Sequence, residues 1–241
     1  MKQYGMILRA FTELAPGYEE TMDRELRRFL GHGYGELCRR LVEEAALEDG
    51  DWVLDLATGT GLLARYLAKS VGSAGGIIGL DITSAMLDEA RGRVTATGLA
   101  ETIHLICGSG TAMPLGHGRL DAAICAFGAH HMEPGLLLSE LGRVLRPGGR
   151  LVLTVAGAPA RWRVPWAQAL LGFCVRLVRL LSKRARFQAE VEALRNVRSS
   201  SEWHALLAEA GFSQADVSGS RPRRPWYPRP LTIKAVARGG G

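Results

Sequence analysis

The 241-residue chain carries 30 Lys and Arg against 24 Asp and Glu, a net charge of +6, with 47% hydrophobic and 22% charged residues. That composition excludes a collagen-like, coiled-coil or disordered chain, and the length suits one domain with a large core or at most two small ones. The four cysteines, Cys38, Cys107, Cys125 and Cys174, are scattered without a C-x-x-C pair, which excludes a disulfide framework or a cysteine zinc site and points to a reducing cytoplasm. No stretch reaches the ~18 uninterrupted apolar residues of a membrane span. The first residues turn acidic too soon for a secretory signal.

Residues 17–46 read as two helices broken at Gly31-His32-Gly33. The second has Leu37, Leu41, Val42 and Ala45 at helical spacing. Residues 52–56 form a short apolar strand, followed by a glycine turn and a helix over 62–70. A strand over 76–80 precedes a helix capped by Ser84 and running to about Ala96. Strands follow over 103–107 and 120–126, then a helix over 136–145 ended by Pro147-Gly148-Gly149, then a strand over 150–156. These strands are continuous apolar runs, as expected when both faces of a parallel sheet are covered. Beyond Gly157 a long basic helix over 165–182 and a second helical piece lead to a helix over 201–210. Late strands over 215–217 and 231–236 close the chain.

The expected architecture is α/β: a doubly wound, mostly parallel sheet of seven strands. It divides into an N-terminal helical cap (1–50), a cofactor-binding core (51–156), a helical lid insert after the fifth strand (157–200) and a closing helix with strands (201–241), all within one domain. Residues 53–61, VLDLATGTG, carry the most information. A strand runs into Gly59-x-Gly61 and then a helix. Glycines admit a ligand to the backbone, and the helix start offers free N–H groups. Ala64 completes G-x-G-x-x-A, which also fits a dinucleotide. Asp81, ending the second strand, suits the two hydroxyls of a ribose, and both NAD and S-adenosylmethionine have such a ribose. Asp55, four residues before Gly59, would repel a pyrophosphate yet tolerate the ammonium and sulfonium of S-adenosylmethionine. Alternatively it braces the loop by accepting backbone N–H groups.

In order, LDLATGTG (54–61), GLDIT (79–83), AMPL (112–115) and LRPGG (145–149) resemble the class I S-adenosylmethionine-dependent methyltransferases over residues 51–156, with a weaker echo over 201–212. Phe11-x3-Ala15-Pro16-x-Tyr18 is similar to the opening of the ubiquinone and menaquinone C-methyltransferase branch. The resemblance implies S-adenosylmethionine contacts along Ala57, Thr58, Gly59, Thr60 and Gly61, the ribose on Asp81 beside Ile82, and the adenine among Met86, Gly108, Ser109 and Gly110. It adds Ala126 and Phe127 beyond the fourth strand. Tyr18 would cover cofactor or substrate, or serve structure alone. Many relatives have Asp or Asn where Ser109 stands, and the quinone branch carries another pair in place of His130-His131.

Methyl transfer needs an acceptor held in line with the S–CH3 bond and shielded from water. His130 and His131 stand at the sheet edge, where either could serve as base, His131 being favoured, or simply shape the pocket. The expected acceptor is a small, largely apolar phenol, quinol or polyketide-like ring, methylated on carbon or oxygen. No metal cluster is expected. The alternatives are an NAD-linked oxidoreductase and a non-catalytic cofactor-binding or scaffold protein.

Residues 161–186 hold seven basic residues and no acid, and residues 221–241 hold six with none, so the remaining chain carries a net −7. The basic helix presents Arg176, Arg179 and Lys183 on one stripe beside a wide apolar face. It reads as a pocket cover, with peripheral contact to an anionic membrane or a homodimer interface as the alternatives. Nucleic acid fits poorly, because the prolines of 221–229 read as a loop.

Overall fold

The computed structural model describes residues 2–157, 185–219 and 229–238. Its strands are β1 (Trp52–Leu56), β2 (Gly76–Asp81), β3 (Ile103–Cys107), β4 (Leu120–Ala126), β5 (Leu145–Gly157), β6 (Phe212–Gly219) and β7 (Arg229–Ala237). They form one seven-stranded sheet in the order β3-β2-β1-β4-β5-β7-β6. The pairs β1–β2, β2–β3, β1–β4 and β4–β5 are parallel, while β7 runs antiparallel between β5 and β6. The chain winds outward from β1 to β3, then restarts at β4 on the other side of β1. The crevice between the carboxyl ends of β1 and β4 is therefore the switch point, where ligands of such sheets bind.

Helices α1 (Lys2–Leu14), α2 (Tyr18–Phe29), α3 (Tyr34–Ala45), α4 (Leu62–Leu67), α5 (Ser84–Ala96), α6 (Pro134–Val144), α7 (Ala185–Ala193) and α8 (Ser200–Glu209) surround the sheet. The apolar runs of the central strands divide by alternation. Val53 faces Leu37, Leu41, Leu63, Leu67 and Val94 of α3, α4 and α5. Leu54 and Leu56 face Leu137, Leu141, Trp203 and Leu207 of α6 and α8. Covering both faces explains why these strands show no polar alternation.

The helix over Lys2–Leu14 was not among the expected elements. Its Ile7 and Ala10 pack not on the sheet but on Ala185 and Ala189 of α7, with Phe11 and Ile82 against them. The cap of α5 is Thr83, one residue before the expected Ser84, and it makes no side-chain cap bond. Helix α6 begins two residues early because Glu133 accepts the Gly135 and Leu136 N–H groups and Pro134 fits the first turn. A capping box between Ser199 and Glu202 starts α8. Strand β5 takes in Leu145, expected to end a helix, and Arg146–Gly149, expected as a loop, and β6 and β7 extend past their expected ends. The long helix expected over 165–182 lies outside the described residues, as does most of the segment expected to meet a membrane or a second copy. Arg186, its last basic residue, pairs with Glu25 of α2 at 2.6 Å. Among the described residues no helix is long and apolar enough to cross a membrane.

Candidate active site

A cavity of about 370 Å³ opens at the switch point. Its floor is the turns after β1, β2, β3 and β4; its cover is Ile7 and Phe11 of α1 with Arg195 and Asn196 beyond α7. Two floor residues without glycine's freedom, Ala57 (φ 56°) and Phe127 (φ 59°), hold left-handed backbone at the ends of β1 and β4. Such conformations cost about 1–3 kcal/mol and persist only where the surroundings enforce them. A Cβ on Gly128 would lie 2.3 Å from the Ala57 Cβ, so the two turns touch at that point.

Asp81 anchors the β2 end of the floor. Its two oxygens accept the N–H groups of Gly59 (2.9 Å) and Thr83 (2.8 Å). Burial raises its pKa, and these N–H groups work against the rise. The Thr83 hydroxyl and the Ile82 N–H bond to it as well. Gly59 (φ 55°) passes under Tyr18, and a Cβ there would come 3.3 Å from the Tyr18 ring. Tyr18 meets Tyr34 edge-on at 6.1 Å, and burial raises its hydroxyl pKa well above the usual value.

Of the residues expected at the site, Tyr18, Ala57, Gly59, Asp81, Ile82, Met86, Gly108, Ser109, Gly110, Ala126, Phe127 and His131 line the cavity. Asp55, Thr58, Thr60, Gly61 and His130 do not. Asp55 is buried beneath the loop, where it accepts the Thr58 hydroxyl at 2.6 Å. It therefore braces the loop instead of meeting a ligand, and burial pushes its carboxyl up to about 7. Thr60 turns away and donates at 2.9 Å to Glu19 of α2, which also takes Arg65 at 2.7 Å. This ties the helical cap to the glycine turn. Gly61 is needed for packing: its Cβ would stand 3.3 Å from Ala90 of α5. Ser109 faces inward, but its hydroxyl is engaged with the Thr111 N–H at 3.2 Å and hydroxyl at 3.0 Å.

The sequence reading missed Phe11, Met132, Leu136, Arg195 and Asn196 in the walls. For Phe11 a signal was present, since Ile7, Ala10, Phe11 and Leu14 follow the i, i+3, i+4, i+7 spacing. It also missed Glu190 of α7. The His130 and His131 Nε2 atoms lie 3.6 and 3.8 Å from the two Glu190 oxygens, a grouping of three ligand-type side chains that the sequence reading did not foresee. Some 60 residues separate Glu190 from the pair, and no spacing motif records such a meeting. Burial pushes His131 down to about 3, with His130 beside it acting the same way and Glu190 opposing, so its imidazole is neutral near pH 7. Glu190 is hemmed in by protein although its side chain is 44% exposed. That crowding opposes its charge, but its interaction with His130, first among the opposing causes, and the Arg186 charge help to hold the carboxyl down at about 2. The cysteines do not converge here: Cys38 and Cys125 are buried apart in the two core layers, and Cys107 is exposed. Cys174 lies outside the described residues.

Residues 53–149 match the family model of a methyltransferase domain. The 2-phytyl-1,4-naphtoquinone methyltransferase of Synechococcus elongatus is 33% identical over 174 residues, which are 66% of this chain and 72% of that protein. The demethylmenaquinone methyltransferase of Beutenbergia cavernae is 31% identical over 212 residues, 84% of this chain and 80% of that one. Among solved structures, a SAM-dependent methyltransferase from Aquifex aeolicus shares the fold with a TM-score of 0.63 at 23% identity, covering 92% of this chain and 98% of its own. The chain belongs to the class I S-adenosylmethionine-dependent methyltransferases, in the ubiquinone and menaquinone branch. It is an enzyme of that cofactor, so neither the NAD-linked nor the non-catalytic alternative stands.

The residues present fit the cofactor. The gap between Gly59 and Tyr18 is one that a Cβ would narrow. Asp81 lines the cavity with a carboxylate that can accept a ribose hydroxyl, and Ile82 and Met86 give apolar surface beside it.

Proposed function

We propose that the enzyme methylates a ring carbon of a quinol that carries an apolar tail. One observation carries this reading: the cofactor floor continues directly into an apolar wall of Ile7, Phe11, Phe127, Met132 and Leu136. Such a wall binds an aromatic ring by burial alone and excludes water from the reaction. The relatives, a 2-phytyl-1,4-naphtoquinone methyltransferase and a demethylmenaquinone methyltransferase, support the same acceptor class.

S-adenosylmethionine supplies an electrophilic methyl group. The chain has to seat it through Asp81 and Gly59, lay the acceptor against Phe11 and keep water away. Orientation of this kind accounts for a large share of methyl-transfer acceleration. His131 lines the cavity, meets Phe11 edge-on at 5.2 Å and is neutral. A group held at about 3 is a poor store for a proton at neutral pH, so its part is to orient an acceptor oxygen by hydrogen bonding. His130 shapes the turn: its carbonyl accepts the Asn196 side-chain N–H at 3.2 Å, joining floor to cover.

The test is incubation with S-adenosylmethionine and a reduced polyprenyl-naphthoquinol without oxygen. Mass spectrometry is expected to show gain of one methyl group, and NMR to place it on ring carbon. Methyl on oxygen, or no product from enzyme that binds S-adenosylhomocysteine, would overturn the proposal.

A further inference from the structure

We propose that His130, His131 and Glu190 form a binding site for one divalent cation of the zinc type, which clamps the cover of the cavity to its floor. The three come from two separate elements. The histidines sit in the 3-10 turn Ala129–His131 after β4, and Glu190 projects from α7. Their ligand atoms all lie within 4.8 Å of one another.

The separations suit an ion better than they suit hydrogen bonds. His130 Nε2 stands 3.6 Å from one Glu190 oxygen and His131 Nε2 3.8 Å from the other. An N–H···O bond closes to about 2.7–3.2 Å. Two ligands held at about 2.1 Å from one tetrahedral ion stand about 3.4 Å apart. Glu190 is long and partly exposed, so its carboxylate can take up the small remaining difference.

The donor set indicates the class of ion. Two imidazoles and one carboxylate suit zinc and its first-row neighbours, whereas magnesium and calcium take oxygen ligands. The rings offer Nε2 as the ligand atom: each Nε2 faces Glu190, while both Nδ1 atoms are buried.

The clamp is read out without methyl transfer, so its failure and that of the quinol reading are separable. Untagged enzyme is titrated with Zn2+ alone by calorimetry, and with Co2+ by visible absorption. One ion per chain is expected, with a melting temperature raised by about 5 °C when Zn2+ is in hundredfold excess over its dissociation constant. E190Q and H130Q are each expected to weaken binding at least tenfold and to abolish the thermal shift. H204Q and C107S, which alter an exposed histidine and the exposed cysteine of the described residues, are expected to leave both unchanged. Unchanged S-adenosylhomocysteine affinity in E190Q shows that this variant is folded. Absence of binding, or binding that survives E190Q and H130Q, overturns the proposal.

Discussion

On the wall of the cavity built by β1 and β2, the buried polar groups are held by neighbours close in the fold. On the wall built by α1, α7 and the turn after β4, two of them are not. Asp81 holds Gly59 and Thr83, Asp55 holds Thr58, and Glu19 holds Thr60. The Nδ1 atoms of His130 and His131, by contrast, are buried without partners among the described residues. Each unmet buried group costs about 1–3 kcal/mol. The first wall is thus preorganised by its own hydrogen bonds, while the second carries two buried ring nitrogens that no neighbour among the described residues meets. On the proposed reading this is a division of labour: one wall would fix the cofactor and the other would receive the acceptor.

The sharpest way to break this contrast is Asp81→Ala. It strips two backbone N–H groups of their acceptor and removes the diol partner, so S-adenosylhomocysteine affinity is expected to fall at least about 100-fold by calorimetry. Binding within threefold of wild type would show that the first wall is not held as described.

Next comes Asp55→Asn, read as stability against pH. The folded pKa of Asp55 is raised, about 7 against the ordinary 3.8. Its contribution is therefore fully present below about 3.8 and lost as pH rises through about 7. Between pH 5 and pH 8 the wild type should lose about 2–3 kcal/mol relative to D55N, measured by urea unfolding. A constant difference between the two proteins across that range would contradict a buried, neutral-leaning Asp55.

Gly59→Ala sets a Cβ against Tyr18 on left-handed backbone. Cofactor affinity is expected to drop about tenfold, and Tyr18→Ala in the same chain should recover part of it, leaving the backbone strain. No recovery would mean that Tyr18 does not roof the glycine turn. The smallest effect is on the adaptable wall. Phe11→Ala removes the edge contact to His131, worth about 1 kcal/mol. The acceptor KM is expected to rise about fivefold with S-adenosylhomocysteine affinity unchanged. Parallel loss of both would erase the distinction between the walls.

The same contrast governs how much could be read from the sequence. Strands β1 to β4 were legible because a central parallel strand is a continuous apolar run, and the position of Asp81 followed from the end of β2. What could not be read was direction. Asp55 sits in β1 and Thr60 in the turn after it, as expected, yet their side chains serve the loop and α2, a choice made by Thr58 and Glu19 packing against them. Glu190 was invisible for another reason: its neighbours come from distant chain brought together only by the fold. Helix α1 was overlooked although its apolar spacing was present, because its partner is α7 and not the sheet.

The contact between Ala57 and Gly128 bears on how such an enzyme can change its substrate. With a Cβ on Gly128 only 2.3 Å from the Ala57 Cβ, Gly128 has no room for a side chain unless the turn at Ala57 moves. A lineage, or an engineer, seeking a different acceptor cannot reshape the floor at Gly128 alone. Variation is channelled into Ile7, Phe11, Met132 and Leu136, where a side chain can grow or shrink without moving the turns that seat the cofactor.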